Sequence, residues 1–182
     1  MTIEVPSFAQ SLLALKDPFE LLLSLLEGST DPVIPVLSSA IITPLLSLSL
    51  AKNKLTPAVT DAVSKFYHYL SAVSKAEERD QQDLAIQAYV ALLRTPYARE
   101  AFWDMKEETM PPLVGLLQET AGGTASDRGD SATGVPVGIV QGGVPLQLVY
   151  HVLLVVWQLT FDETVAEEIN EYAYPLRYAT PH

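Results

Sequence analysis

The stretch Val144-Pro-Leu-Gln-Leu-Val-Tyr-His-Val-Leu-Leu-Val-Val-Trp-Gln-Leu-Thr-Phe161 is apolar along nearly its whole length, yet it carries Gln147, His151 and Gln158. No Lys or Arg flanks it, and Asp162 and Glu163 follow directly. A membrane-spanning helix takes about 20 apolar residues with interfacial anchors. This run has polar interruptions and no such anchors, so it reads as a helix buried among other helices. Pro35 to Ala51, the other apolar run, holds four serines, Thr43 and a mid-run Pro44, and reads the same way.

Outward from this helix the chain is punctuated by helix starts. Asp17-Pro18-Phe19-Glu20 reads as an N-cap, a proline at the first helical position and a capping-box Glu, with Leu21 to Leu26 following and Gly28 closing the run. Asp31-Pro32 opens a second helix to about Leu50, predicted to kink or break before Pro44. Thr56-Pro57 opens a third, with Val59, Val63, Phe66, Leu70 and Val73 on one face. Lys75 to Asp83 reads as a solvated connector and first turn before the apolar Leu84 to Arg94. Thr95-Pro96 repeats the cap-and-proline device before Tyr97 to Met105, and Thr109 to Pro112 is predicted to repeat it before Leu113 to Gln118.

The segment from Ala121 to Gly143 collects seven of the nine glycines and reads as a flexible loop. Helices resume at Pro145 to Phe161, after which Asp162 caps a short acidic helix to about Tyr172. Tyr174 to His182 shows no helical pattern. No strand signal is convincing, so the expected class is all-α. Leu-rich helix pairs recur at a period near the roughly 40–47 residues of armadillo and HEAT units, which predicts a solenoid of stacked helix pairs.

Composition agrees. The chain has 182 residues, 48% hydrophobic, with 22 Asp+Glu against 11 Lys+Arg, a net charge of −11 and no cysteine. Apolar content this high requires a buried core. Net negative charge argues against nucleic acid as a partner. Absence of cysteine removes disulfides, thiolate metal sites and cysteine nucleophiles.

Chemistry-bearing patterns are sparse. Gly134 to Gly143 lacks the Lys and the preceding strand of a phosphate cradle. His68, His151 and His182 are isolated in sequence, and His151 reads as a core histidine bonded to a neighbouring helix. A small helical hydrolase using His151 with an acid is the enzymatic alternative. The acid pairs Glu77-Glu78, Glu107-Glu108, Asp162-Glu163 and Glu167-Glu168 sit at adjacent positions that diverge by about 100° on a helix, so they read as solvated faces and dipole partners. Trp103 and Trp157 read as core residues. No catalytic, cofactor-binding or metal-ligating residue is assigned.

Specific residues carry a resemblance. Val144 to Phe161, followed by Val165-Ala-Glu-Glu-Ile169, resembles the regulatory H subunit of the vacuolar-type proton ATPase (V-ATPase), in a fungal-like form with a Gly/Ser-rich insertion before this helix. Thr95-Pro-Tyr-Ala-Arg-Glu-Ala-Phe-Trp103, Pro111-Pro-Leu-Val-Gly-Leu-Leu117 and Asp17-Pro-Phe19 with Leu21 to Leu26 fit earlier helices of the same family. The resemblance implies an armadillo/HEAT-like solenoid without nucleotide, metal or catalytic residues. It implies a non-catalytic stator and regulatory component that binds other parts of the V-ATPase, chiefly the E–G peripheral stalk. The implied location is the cytosolic face of the vacuolar membrane, reached through the complex rather than by insertion.

Family members are longer at both ends. The resemblance therefore implies an internal fragment of the N-terminal domain over residues 7–172, with a flexible insertion at 121–143. It further implies a non-family tail at 173–182, an absent C-terminal domain, and apolar faces left bare where neighbouring repeats would stack. An unrelated armadillo/HEAT-type adaptor for a protein partner is the alternative.

Overall fold

The computed structural model describes residues 11–12, 18–28, 33–51, 56–122, 125–126, 140–141 and 143–178. The helices are α1 (Pro18–Gly28), α2 (Val33–Ala51), α3 (Pro57–Val73), α4 (Arg79–Leu92), α5 (Pro96–Asp104), α6 (Lys106–Gly122), α7 (Leu146–Leu159) and α8 (Glu163–Tyr178). The expected caps Asp17 and Asp31-Pro32 and the end of the tail fall outside the described residues.

Local chemistry explains the starts that agree with the sequence. Thr56 is extended, and its hydroxyl oxygen accepts the Val59 N–H at 3.3 Å, while Pro57 takes the first helical position. Asp162 Oδ1 accepts the N–H groups of Thr164 at 3.1 Å and Val165 at 3.3 Å, as a cap should. Thr95 precedes Pro96 in the same manner, but its hydroxyl donates backwards to the Leu92 carbonyl instead of capping α5.

At two proline sites the helix runs on: α2 is not broken before Pro44, and the expected start at Thr109 to Pro112 fails. α2 runs unbroken through Pro44, because its buried line continues from Ser38 and Ile42 to Leu45, Leu46, Ser49 and Leu50 on both sides of the proline. Packing against neighbouring helices outweighs the single lost ladder bond. α6 begins at Lys106, not after Thr109, and passes through Pro111 and Pro112. The Met105 carbonyl accepts from Glu108 N at 2.9 Å and Thr109 N at 3.1 Å, and Glu107 and Glu108 lie in the first turn, where negative charge favours the helix dipole. Thr109 is buried, its hydroxyl donating to the Phe102 and Met105 carbonyls.

The helices stack in two rows. One row is α1, α3 and α6, the other α2, α4 and α7; α1 pairs with α2, α3 with α4, and α6 with α7. Short α5 turns the chain between α4 and α6, touching α3 and α6. α2 starts at Val33 and α4 at Arg79, a spacing within the armadillo and HEAT range, while the glycine-rich segment lengthens the next interval to Leu146. This is the all-α solenoid that the sequence predicts.

The core fills the space between the rows. Tyr67, Tyr89 and Phe102 join α3, α4 and α5 through ring contacts of 5.6, 5.8 and 5.1 Å, and all three are fully buried. The two tyrosine hydroxyls are satisfied: Tyr67 donates to the Ala98 carbonyl at 3.0 Å and Tyr89 to the Tyr67 carbonyl at 3.4 Å.

The loop expected over 121–143 has structured ends. Residues 121–122 finish α6, and three two-residue strands follow: β1 (Ala125–Ser126), β2 (Val140–Gln141) and β3 (Val144–Pro145). They form an antiparallel sheet with β2 in the centre. Gly143, at φ +77°, turns β2 into β3, a conformation that favours glycine. Val144 is wholly buried, and β3 packs on α6 and α7, anchoring the segment to the core. α8 also continues past the expected end near Tyr172, to Tyr178.

Candidate partner-binding surface

The two described histidines are each brought to an acid. His151 Nδ1 lies 2.6 Å from Asp83 Oδ1, joining α7 to α4, and both side chains are mostly buried. The other ring nitrogen faces the Gln147 amide at 3.0 Å, and Gln87 donates to the second Asp83 oxygen at 2.8 Å. The reading of His151 as a histidine bonded to a neighbouring helix therefore holds. A hydrolase would need a nucleophile at that second nitrogen; an amide occupies it. Asp83 lies in the stretch expected to be solvated, where Gln82 is also buried, accepting from Arg79 and donating to the Ala76 carbonyl. Only tertiary packing could reveal that, since His151, the partner that buries Asp83, comes from α7.

His68 meets Glu108 at 2.7 Å on an exposed face between α3 and α6, and His182 lies outside the described residues. Among the described residues no cluster of three His, Cys, Asp or Glu side chains could hold a metal ion. The acid pairs behave as helix partners: Glu108 binds His68, Asp162 caps α8, and Glu168 accepts from Trp103 Nε1 at 3.0 Å and from Lys106 Nζ. Those bonds, the Lys106 bond foremost and then Trp103, hold the Glu168 carboxyl below its usual value of 4.5. Lys106 also sits over the Trp103 ring. Burial, then the charges of Tyr89 and Tyr97, raises Tyr67, and burial followed by Glu108 raises Tyr89, so the central rings stay neutral.

The two tryptophans part company. Trp103 is in the core at 8% exposure, as expected, but Trp157 is 56% exposed, against expectation. Its ring packs edge-on against Phe161 at 4.7 Å, and Arg99 lies over Phe161. Leu146, Tyr150 and Leu153 are exposed on the same helix. Apolar periodicity cannot by itself say which side of an almost wholly apolar helix faces water, so the sequence missed this surface.

A second apolar feature lies along the same row. An open groove of about 480 Å³ lies between α2 and α4. Val36, Ala40 and Pro44 form one wall, Leu84 and Ala88 the other, and Tyr69 lies at the floor. None of its lining residues is charged. Of the described helices, α2 has the length and apolar composition to cross a membrane, whereas α7 is shorter. α2 packs on α1 and α4 through its buried line.

The surface thus combines the uncharged, apolar outer side of α7 with the uncharged groove between α2 and α4, on an acidic molecule, and is suited to protein contact. A family model for the H subunit of the V-ATPase, covering its N-terminal part, matches residues 1–177. The match extends into the tail that the sequence set apart at residue 173, as does α8. No curated protein and no solved structure matches the chain. With a family match over nearly its whole length and a fold of stacked helix pairs, the chain belongs to the V-ATPase H-subunit family, in the N-terminal domain.

Proposed function

We propose that the chain is a non-catalytic stator and regulatory element of the V-ATPase soluble sector. It binds the E–G peripheral stalk at the cytosolic face of the vacuolar membrane, and it supports the coupling of ATP hydrolysis to proton transport. The family match over residues 1–177 carries this reading. The physical support is stiffness: two rows of helices share one continuous core, and the aromatic contacts of Tyr67, Tyr89 and Phe102 tie three helices together. A scaffold that bridges static parts must resist the torque of the rotor, and stacked repeats with broad faces suit that task.

The test is binding of the 182-residue chain to a purified E–G heterodimer, measured by calorimetry and by co-elution on size exclusion. A stable complex at micromolar concentration is expected. An intact heterodimer that elutes separately from the folded chain at those concentrations would retire the stalk assignment.

A further inference from the structure

Leu146, Tyr150, Leu153 and Trp157 on α7, with Phe161 just beyond it, recur at steps of four, three, four and four residues and form one stripe, exposed between 39% and 58%. The stripe lies opposite the buried line Leu148, Val152, Val155 and Leu159. His151, bonded to Asp83, marks the flank of α7 that faces α4, and Val149 and Val156 lie on the other flank, half-buried. A further helix stacked along the row would meet that second flank. It would leave the stripe uncovered, so bare repeat ends do not explain it.

Charge narrows what could cover it. α7 has no charged residue from Leu146 to Leu159. The helix that α7 packs on, α4, has exposed acids at its start, Glu77, Glu78 and Asp80, and Asp162, Glu163 and Glu167 are exposed in the chain after α7. The exposed cations near the two ends of α4 are Lys75 and Arg94, while Arg99 is engaged by the Leu93 carbonyl and the Phe161 ring.

We propose that this stripe docks a single amphipathic helix of another protein, with large apolar side chains on one face and lysines or arginines along its margins. Four turns of exposed ridge match a facing helix by ridge-into-groove packing. The Trp157, Tyr150 and Arg99 side chains are of the types that dominate binding energy at protein interfaces. A basic margin meets the surrounding acids. A second copy of this chain, itself at −11, would set acid against acid, and an anionic lipid surface would be repelled in the same way. The inference goes beyond the stalk assignment and does not rest on it, because it needs only α7 and its frame.

Two labelled three-heptad peptides serve as probes: repeats of Leu-Lys-Lys-Leu-Leu-Lys-Leu, and the same peptide with every Lys replaced by Glu. Anisotropy titrations of the full chain at physiological salt should show the Lys peptide binding and the Glu peptide at least about tenfold weaker. Trp157→Ser and Leu153→Ser should each weaken the Lys peptide on the order of tenfold. Leu37→Ser, at an exposed apolar position on α2, should not. Because all these side chains are exposed, unchanged circular dichroism melts are expected, and Tyr150→Ser stands in for any variant that melts early. Equal binding of the Lys peptide by parent and stripe variants would overturn the proposal, as would equal binding of the two peptides. Sedimentation showing a dimer of this chain abolished by Trp157→Ser would give the stripe to a second copy, and co-sedimentation with neutral phosphatidylcholine vesicles would give it to a lipid surface; either result also overturns it.

Discussion

Ser71 closes a gap that Pro112 opens. A proline inside a helix has no N–H to return to the carbonyl four residues earlier, here that of Glu108. From α3, the buried Ser71 hydroxyl donates to that same carbonyl at 2.7 Å. Ser71→Ala should cost about 0.5–1.5 kcal/mol, the net worth of a typical intramolecular hydrogen bond, read from urea unfolding. A change within error would mean that water reaches the carbonyl. Neither half of this arrangement is legible locally, since its partners lie 37 residues apart. The central tyrosines make a second residue-scale prediction. Tyr67 and Tyr89 are held above the ordinary value of 10.0, so above that pH the unfolded chain releases phenolic protons that the folded chain retains. Stability should therefore fall as pH rises past 10.0, by about 1.4 kcal/mol per pH unit for each tyrosine. Tyr67→Phe should make that fall shallower in unfolding measured at stepped alkaline pH. A native protein in which all the tyrosines ionise together near 10.0, with no change in stability, would contradict it.

Among elements, α8 shows how one polar contact positions a helix. Asp162 caps it, Val165 is buried, and Glu168 reaches Trp103 and Lys106 at the α5–α6 corner. The Glu168 carboxyl titrates below its usual 4.5, so its contribution is present above that pH and is lost as pH falls through the lower, folded value. The indole N–H resonance of Trp103 should report this titration, with a midpoint below 4.5, and Glu168→Gln should abolish the step. A midpoint at or above 4.5 would mean that the contact does not favour the carboxylate. Legibility also varied by element. Helix starts marked by Thr or Asp beside a favourable first turn were readable, as at Thr56-Pro57 and Asp162, because their bonds are local. The apparent start at Thr109 to Pro112 misled, since the same residue types sit inside a helix, where α3 supplies the bond that Pro112 leaves missing.

At the scale of the whole molecule, the glycine-rich interval separates two halves of one row. β1 and β2 set Ser126 opposite Val140, so the chain leaves and returns at one place. Replacing residues 127–139 by a short Gly-Ser turn should change stability by no more than about 0.6 kcal/mol per halving of loop length. A thermal melt of the shortened chain checks this, and a marked loss of stability would mean that the segment contributes packing of its own. The sequence by itself determined the class of the molecule: apolar helices, proline starts and a repeat near the armadillo and HEAT period require stacked pairs, because no such helix can bury its faces alone. It also determined the family resemblance, carried by Leu146 to Phe161 and the helices before it. Tertiary structure alone decided which side of α7 meets water, where His151 finds Asp83, and how prolines 44, 111 and 112 lie within continuous helices. The physical reason is range: caps and periodicity act within a turn or two, whereas the exposure of a face and the rescue of an unpaired carbonyl depend on partners that only folding brings near.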